Sequence, residues 1–577
     1  MEIFRPEHPN PQWERENWQN LNGEWDFEFD FGKSAYSKWK NSACYFDELT
    51  MTKKIIVPFC PESTLSGIGY TDFINGACYR RSFTLPKQAA GSRVLLHFGA
   101  VDFLAYIFVN QRYVGKHIGG YASFSLDITD YTSAGENTIF VIVEDEVRNP
   151  EQASGKQAKE YYSSGCDYTR VTGIWQTVWL EFVPQTYIRN AKFYPDTANQ
   201  SLTICGQAEG QGVVCAAVSY QGRPMGTAQA AVNGSSFILH VPLAELHLWE
   251  PGHGRLYDLE LSFGADKVKS YFGMRSIRLD GYRFLINEKS VFQRLVLDQG
   301  YYSDGIYTAK DEDALARDIR LSMDAGFNGA RLHQKVFEPR FLYHCDKMGY
   351  LVWGEYGNWG IDYRNPISVE NFILEWQEVI SRDFNHPAII GWCPANETWR
   401  YTEIHERHRC LATLYQVTKA MDFTRPCIDT SGNFHAATDI YDVHDYEQDV
   451  EKFRSYYERI HEGIIIDQTA RMEEWKNGQK YNGEPVFVSE YGGIRWTDDP
   501  DAAGWGYGEA PQTPAEFIER YRGLTHALLD TPNLFGFCYT QLYDVEQEIN
   551  GLYTYSRKPK FDPAILREIN SKKAKIE

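Results

Sequence analysis

From Gly23 to about Glu181 the chain runs in short stretches that alternate apolar and polar residues, such as Val94 to Phe98, Ala105 to Val109 and Thr138 to Val143, separated by Gly, Asn and Asp turns. A period of two gives each stretch one face for a core and one for water, so this region predicts a β-sandwich. From about Tyr187 to Arg275 the runs Leu202 to Gly206, Val213 to Tyr220, Ser236 to Val241 and Leu256 to Phe263 continue the pattern, as in a small immunoglobulin-like sandwich. Helical periodicity enters only after Arg275. It marks Glu312 to Asp324 closed by Gly326, Pro339 to Met348 closed by Gly349, Val369 to Asp383, Arg407 to Met421 and Pro514 to Leu529. Around these helices lie eight short apolar runs: Phe292 to Leu297, Asn328 to Leu332, Tyr350 to Gly354, Ala388 to Pro394, Pro426 to Asp429, Asp439 to Val443, Val486 to Ser489 and Leu534 to Tyr539. Eight strands alternating with helices predict a (β/α)8 barrel.

Composition narrows the function. The 577 residues exceed what one core holds, so several domains are expected. The formal net charge of -20 repels phosphate backbones and anionic membranes, which disfavours nucleic-acid and membrane-surface roles and suits a neutral substrate. Met1 to Leu21 lacks the apolar core of a secretory signal, and no later run reaches transmembrane length, so a cytoplasmic location is expected. The 11 cysteines include no CxxC, and Cys393, Cys427 and Cys538 sit inside apolar runs, where reduced thiols act as small core residues. Aromatic residues make up 15% of the chain; sugar faces stack on such rings, but core packing accounts for most of them.

Candidate chemistry follows from the barrel reading, because active sites of such barrels lie at the carboxyl ends of the strands. The residues collected there are Asp298 and Gln299, His333, Glu355, Asn396 and Glu397, His444 and Asp445, Glu490, and Thr540 and Gln541. Glycoside hydrolysis needs two carboxylic acids flanking the scissile bond. Glu397 follows the apolar run Ala388 to Cys393 and precedes Trp399, a setting that favours a neutral acid. Glu490 follows Val486 to Val488 and precedes Tyr491, Gly492 and Gly493; small glycines would let a substrate approach, and the Tyr491 phenol could stabilise the carboxylate. His333, Glu355, His444 and Asp445 show no HExxH or Cys/His spacing, so a hydrogen-bonding cluster is expected rather than a metal site. No phosphate loop or other cofactor motif is present, and no cofactor is expected.

These segments also carry a resemblance. "RDFNHPAIIGWCPANETW", Arg382 to Trp399, is similar to the acid/base signature of glycoside hydrolase family 2, and "PVFVSEYGG", Pro485 to Gly493, resembles its nucleophile segment. "WQNLNGEWDF" from Trp18, "YRRSF" from Tyr79, "GGYASFSLDIT" from Gly119 and "TGIWQTVWLE" from Thr172 resemble its N-terminal jelly roll, and "FGMR" from Phe272 its hinge into the barrel. The implied fold class is multidomain β plus α/β: an N-terminal jelly-roll β-sandwich over 1–185, an immunoglobulin-like β-sandwich over 186–277 and a C-terminal (β/α)8 TIM barrel over 278–577. The implied activity is exo-acting hydrolysis with retention, with Glu397 as acid/base, Glu490 as nucleophile, Asn396 at the sugar 2-hydroxyl, His386 near the sugar and Asp167 reaching in from the jelly roll. The remaining substrate-binding candidates are Asp298, His333, Glu355, His444, Tyr446 and Tyr539.

Specificity departs from the better-known branches. Where glucuronidases of the family carry Asn-x-Lys, this chain has Asn550, Gly551 and Leu552, so a substrate carboxylate loses its cation. Arg331 to Lys335 differs from the galactosidase motif after the second strand, Tyr539 stands for a Trp, and either His444 or Tyr446 takes the place of a family tyrosine in "DVHDYEQ". The leading expectation is a β-galactosidase-like enzyme. The alternatives are a β-galactofuranosidase or α-L-arabinosidase, then a β-glucuronidase or β-mannosidase, and last a non-enzymatic carbohydrate-binding protein. The expected partner is a carbohydrate, and homo-oligomer formation stays open.

Overall fold

The computed structural model describes residues 3–42, 45–398, 404–432, 434–462, 479–499 and 503–577. The first unit packs a six-stranded sheet, ordered Lys53–Val57, Gly23–Phe29, Gly76–Thr84, Glu136–Glu144, Leu104–Val109 and Arg112–Ile118, on a four-stranded sheet, ordered Trp18–Asn20, Val178–Val183, Arg93–Phe98 and Phe124–Asp127. Val94, Leu96 and Phe98 meet Ile139, Val141 and Val143 in its core, the inward halves of the alternating runs. A second sandwich of three and four strands, from Tyr187–Asp196 to Asp266–Phe272, buries Leu202, Ile204, Leu259, Leu261 and Phe263.

The third unit is the barrel. Its strands are β1 (Gln293–Asp298), β2 (Gly329–Leu332), β3 (Leu351–Glu355), β4 (Ile389–Cys393), β5 (Thr430–Ser431), β6 (Tyr441–Asp445), β7 (Val486–Gly492) and β8 (Leu534–Thr540). Seven of them form one parallel sheet in the order β4-β3-β2-β1-β8-β7-β6. The fifth run, expected at Pro426 to Asp429, joins β4 only at its start, where the Trp392 amide donates to the Pro426 carbonyl and Ile428 donates back to Trp392. β5 itself pairs with Ala395–Asn396. Between β5 and β6, side chains do much of the stitching: Ser431 and His435 both reach Asp442.

Helices α1 (Glu312–Asp324), α2 (Pro339–Met348), α3 (Pro366–Asp383), α4 (Ile404–Met421), α5 (Val450–Tyr457), α6 (Pro514–Leu529) and α7 (Pro563–Asn570) surround the strands. α1 shows why they form. Asp311 caps its amino end by accepting the Ala314 amide at 2.9 Å, Leu315 and Ile319 bury one face, and Gly326 follows with φ 90°. α5 and α7 were not anticipated, although each carries an Asp cap, at Asp449 and Asp562. No described helix is long and apolar enough to cross a membrane. Cys393, Cys427 and Cys538 are buried thiols of the barrel wall.

The jelly roll is locked to the barrel by polar contacts. Glu375 of α3 accepts the amides of Tyr121 (2.6 Å) and Ala122 (3.1 Å) and the Tyr356 hydroxyl. Beyond this junction the segment from Asp145 to Thr172 crosses the barrel mouth, where Ser154 donates to the Trp359 carbonyl at 2.8 Å and Gly155 to that of Gly357 at 3.2 Å.

Candidate active site

Two acids and a histidine converge at the carboxyl ends of β4, β6 and β7. Oxygens of Glu397 and Glu490 and a ring nitrogen of His444 lie within 4.8 Å of one another. His444 Nδ1 stands 2.8 Å from Glu397 Oε1 and 3.4 Å from Glu490 Oε2. Glu397 has φ 48°, a left-handed conformation uncommon for a residue with a side chain, held by the hydrogen bond that its amide donates to the Ser431 carbonyl at 2.8 Å. Trp399 lies outside the described residues. Glu490 reaches the site through a bulge: Val488 pairs with Val443, and then Glu490, not Ser489, pairs with His444.

Arg331, an interior residue of the β2 run, organises the floor. Its guanidinium donates to Glu490 Oε1 (3.0 Å), the Ser489 carbonyl (2.8 Å), Glu355 Oε2 (2.5 Å) and Asn396 Oδ1 (3.0 Å). Burial opposes charge on Glu490, yet His444, Arg331, His333 and the Tyr446 hydroxyl outweigh it and hold the carboxyl far below the usual range. Tyr446 donates to Glu490 Oε2 at 2.5 Å, and its ring stacks on Tyr507 at 3.5 Å. Burial, with Glu490 beside it, pushes this phenol up, so it stays a donor. Burial likewise opposes ionisation of Glu355, but Arg331 and His333 win and keep it a carboxylate. His333 Nδ1 lies 2.9 Å from Glu355 Oε1. Glu490 Oε1 is taken by Arg331, its Oε2 by Tyr446 and Glu397 Oε1 by His444, so all three potential ligands are engaged in hydrogen bonds.

Asn396 presents a ready donor. Its Oδ1 accepts from Arg331, while the buried Nδ2 has no hydrogen-bond partner among the described residues. A buried amide without a partner costs stability, and beside an acid pair it suits a ligand hydroxyl.

Other expected site residues lie elsewhere. His386 precedes β4 and sits at the opposite end of the barrel, 2.6 Å from Asp346 and 3.4 Å from Tyr271 of the second sandwich. Tyr539 and Tyr491 face outward, because strand neighbours alternate sides. Tyr539 packs on Tyr491 and on Tyr521 of α6, and the Tyr491 hydroxyl pairs with Thr525 at 2.8 Å, not with Glu490. Thr540 takes the inward position, 3.1 Å from the Tyr446 hydroxyl. Gly492 and Gly493, with φ 80° and 60°, leave room for the rings of Tyr539 and Tyr507 rather than for substrate. Asp298 supports the mouth from behind: it accepts from Tyr543 (2.5 Å) and the Gly300 amide (2.9 Å), and burial, with Asp318 next, raises it to about 6. Asp445 turns to Tyr457 of α5 at 2.8 Å. Asp167 is half-buried in the crossing segment, where its carbonyl accepts from Gln547 at 2.9 Å.

The crossing segment delivers a residue the sequence did not single out. Lys156 is buried, with its ammonium 5.5 Å from the Trp359 ring centre and 5.6 Å from that of Tyr168, and no described acceptor in hydrogen-bonding range. Burial works against its charge, but Glu548, Cys166, Glu490 and Glu397 outweigh it, so the ammonium persists. A lysine directly after a Ser-Gly pair is no motif, and only the docking of Gly155 places it. A Cβ on Gly155 would lie 2.4 Å from the Gln334 carbonyl and 2.7 Å from the Tyr121 hydroxyl. Gly155→Ala should therefore lift the segment from the mouth and lower kcat/KM by about 10²-fold, the scale of an ångström's misplacement. Steady-state kinetics beside a thermal melt would check it.

Comparisons with known proteins agree with this architecture. Sequence models of glycosyl hydrolases family 2 match residues 18–184 as its sugar binding domain, 186–275 as the family's middle region and 277–497 as its TIM barrel domain. The chain is 26% identical to a Felis catus protein named beta-glucuronidase over 95% of its own length and 90% of that protein. It is 27% identical to a beta-galactosidase of Thermoanaerobacter pseudethanolicus, over 60% of this chain and 47% of that one. The solved structure of an uncultured Clostridium sp. beta-glucuronidase superposes with a TM-score of 0.77 at 21% identity, covering 98% of this chain and 99% of the other. Sequence, fold and converging carboxylates lead to one assignment: the chain belongs to glycoside hydrolase family 2 and is an exo-acting O-glycosyl hydrolase of carbohydrate substrates.

Proposed function

We propose that the enzyme hydrolyses a neutral terminal β-glycoside with retention, a galactoside being the first candidate, and that Glu490 is the nucleophile and Glu397 the acid/base. The observation that carries the mechanism is the spacing of the two carboxylates, within 4.8 Å between oxygens. Retaining pairs stand about 5–5.5 Å apart, whereas inverting pairs need roughly 6.5–9.5 Å to admit a water. Charge supports the division of labour. Glu490 is kept ionised by Arg331 and Tyr446, as a nucleophile requires, and Glu397, the more exposed of the two, faces the opening where an aglycone leaves. Asn396 Nδ2 would then donate to the 2-hydroxyl.

The neutral glycone rests on the loop after β8. Leu552 lies in the core, and Asn550 is tied to Glu548 at 3.0 Å and to Gln541 at 2.8 Å. Glu548, buried and bonded to the Tyr168 hydroxyl at 2.5 Å, sets an acidic side chain rather than a cation beside Asn550. Arg557 offers no substitute, since Asp318 binds it at 2.9 Å. The relatives named beta-glucuronidase favour a second reading, a uronic acid held by Lys156. A panel of nitrophenyl glycosides, furanosides included, separates the two. At least one neutral glycoside should be turned over much faster than the glucuronide, and Lys156→Met should raise its KM by about tenfold, the loss of a charged hydrogen bond to a sugar hydroxyl. Preference for the glucuronide, abolished in Lys156→Met, would establish the uronate instead.

A further inference from the structure

Beneath His444 runs a buried polar chain that the catalytic reading does not use. Asp429 accepts the amides of Ala436 (2.6 Å) and Ala437 (2.9 Å) and lies 2.8 Å from His435 Nδ1. His435 Nε2 lies 3.2 Å from Asp442 Oδ1. Asp442 Oδ2 accepts from Ser431 Oγ at 2.6 Å and also from Ser489 Oγ. Ser431 Oγ stands 2.9 Å from His444 Nε2, and His444 Nδ1 faces Glu397. Asp429, Ser431, His435, Asp442 and Ser489 are all fully buried. Gly432 packs flat on the His444 ring, where a Cβ would come within 3.0 Å of it.

The distances along this chain favour one arrangement of protons. Carboxylates only accept, so Ser431 spends its hydrogen on Asp442, its nearest acceptor. Its oxygen can then only accept from His444, so Nε2 carries the hydrogen. In the neutral ring Nδ1 is the remaining lone pair, aimed at Glu397 Oε1, and that 2.8 Å contact is a hydrogen bond only if one proton lies between the two atoms.

We infer that His444 and Glu397 share a single proton, with Asp442 and Ser431 fixing the tautomer that makes the sharing possible; His444 is a positioning residue for general acid catalysis. This rests on the proposed glycosidase mechanism. In the first step the shared proton passes from Glu397 to the glycosidic oxygen as that C–O bond breaks and Glu490 bonds the anomeric carbon. In the second step Glu397 takes a proton from water as the water oxygen bonds the anomeric carbon and the bond from that carbon to Glu490 breaks, which frees the Glu490 carboxylate and restores the shared proton. The charges facing His444 are Glu490 from β7, Glu397 beyond β4, Arg331 from β2 and, through Ser431, Asp442. Burial opposes charging of His444, yet Glu490 and Glu397 outweigh it and raise its pKa. His435, buried but held by Asp429 and Asp442, is raised to about 10 and so is cationic at neutral pH.

The test is the pH profile of kcat/KM for a glycoside with a poor leaving group. The basic limb reports loss of the shared proton, so Ser431→Ala should move that limb to lower pH by about one unit, a tenfold weaker hold on the proton. Asp442→Asn should move it the same way, and Ser431→Thr, which keeps the hydroxyl, should restore the wild-type limb. With a dinitrophenyl glycoside, whose leaving group needs no proton, the loss should be smaller. A Ser431→Ala enzyme that melts normally and keeps the wild-type limb overturns the relay, as does an equal loss on both substrates without a shift. A wild-type profile with no basic limb on the poor leaving group would unseat Glu397 as the acid, a separate failure.

Discussion

Glu490→Ala is expected to lose hydrolysis of every nitrophenyl glycoside by on the order of 10⁵-fold or more, the scale seen when a covalent nucleophile is removed. The expectation follows from contacts that serve only an ionised carboxylate. Arg331 and Tyr446 each bond one oxygen of Glu490, and the β7 bulge turns it toward His444 and Glu397. Alanine leaves a space beside Arg331 that azide fits in size and charge. Added azide should therefore restore turnover and give a glycosyl azide of inverted configuration, since one displacement replaces two. Product configuration by proton NMR decides it. Near-normal activity in the variant would move the search to Glu355 or Asp298, although Arg331 and Gln334 engage both oxygens of Glu355, and Tyr543 and Gly300 both bond Asp298 Oδ1.

Glu397→Ala should behave differently, because acid catalysis matters only when the leaving group needs a proton. Substrates with poor leaving groups should lose about 10²–10⁴-fold in kcat/KM. A dinitrophenyl glycoside should still form the covalent intermediate comparatively fast and then stall, since no base activates water for its breakdown. A burst followed by a slow steady state is the expected trace. Azide needs no base, so it should speed the steady state and yield a glycosyl azide of retained configuration. An inverted azide from this variant would exchange the roles of the two glutamates.

The division between sequence and structure follows strand geometry. Glu397, Asn396, Glu490 and His444 were legible because a β/α alternation sends the residue after each apolar run to one end of a barrel, whatever the details of packing. Which side of a strand a residue faces is a different matter, since a one-residue bulge reverses it. The bulge at Ser489 turns Glu490 inward, and the outward turn of Tyr491 and Tyr539 places both against α6. His386 shows the same limit from the other end: its motif adjoins the Glu397 segment in sequence, but β4 lies between them.

What the sequence determined by itself is therefore the order of sandwich, sandwich and barrel, and the two glutamates at its mouth, because local periodicity and strand ends encode both. The partners of those glutamates came only with the tertiary structure. Arg331 reads as one charge inside an apolar strand, Lys156 belongs to a sandwich loop more than 200 residues before Glu397, and Asp429, His435 and Asp442 meet only when β5 and β6 close the barrel. Such contacts depend on which buried charges the fold brings within reach of each other, and burial is a property of the whole packed chain.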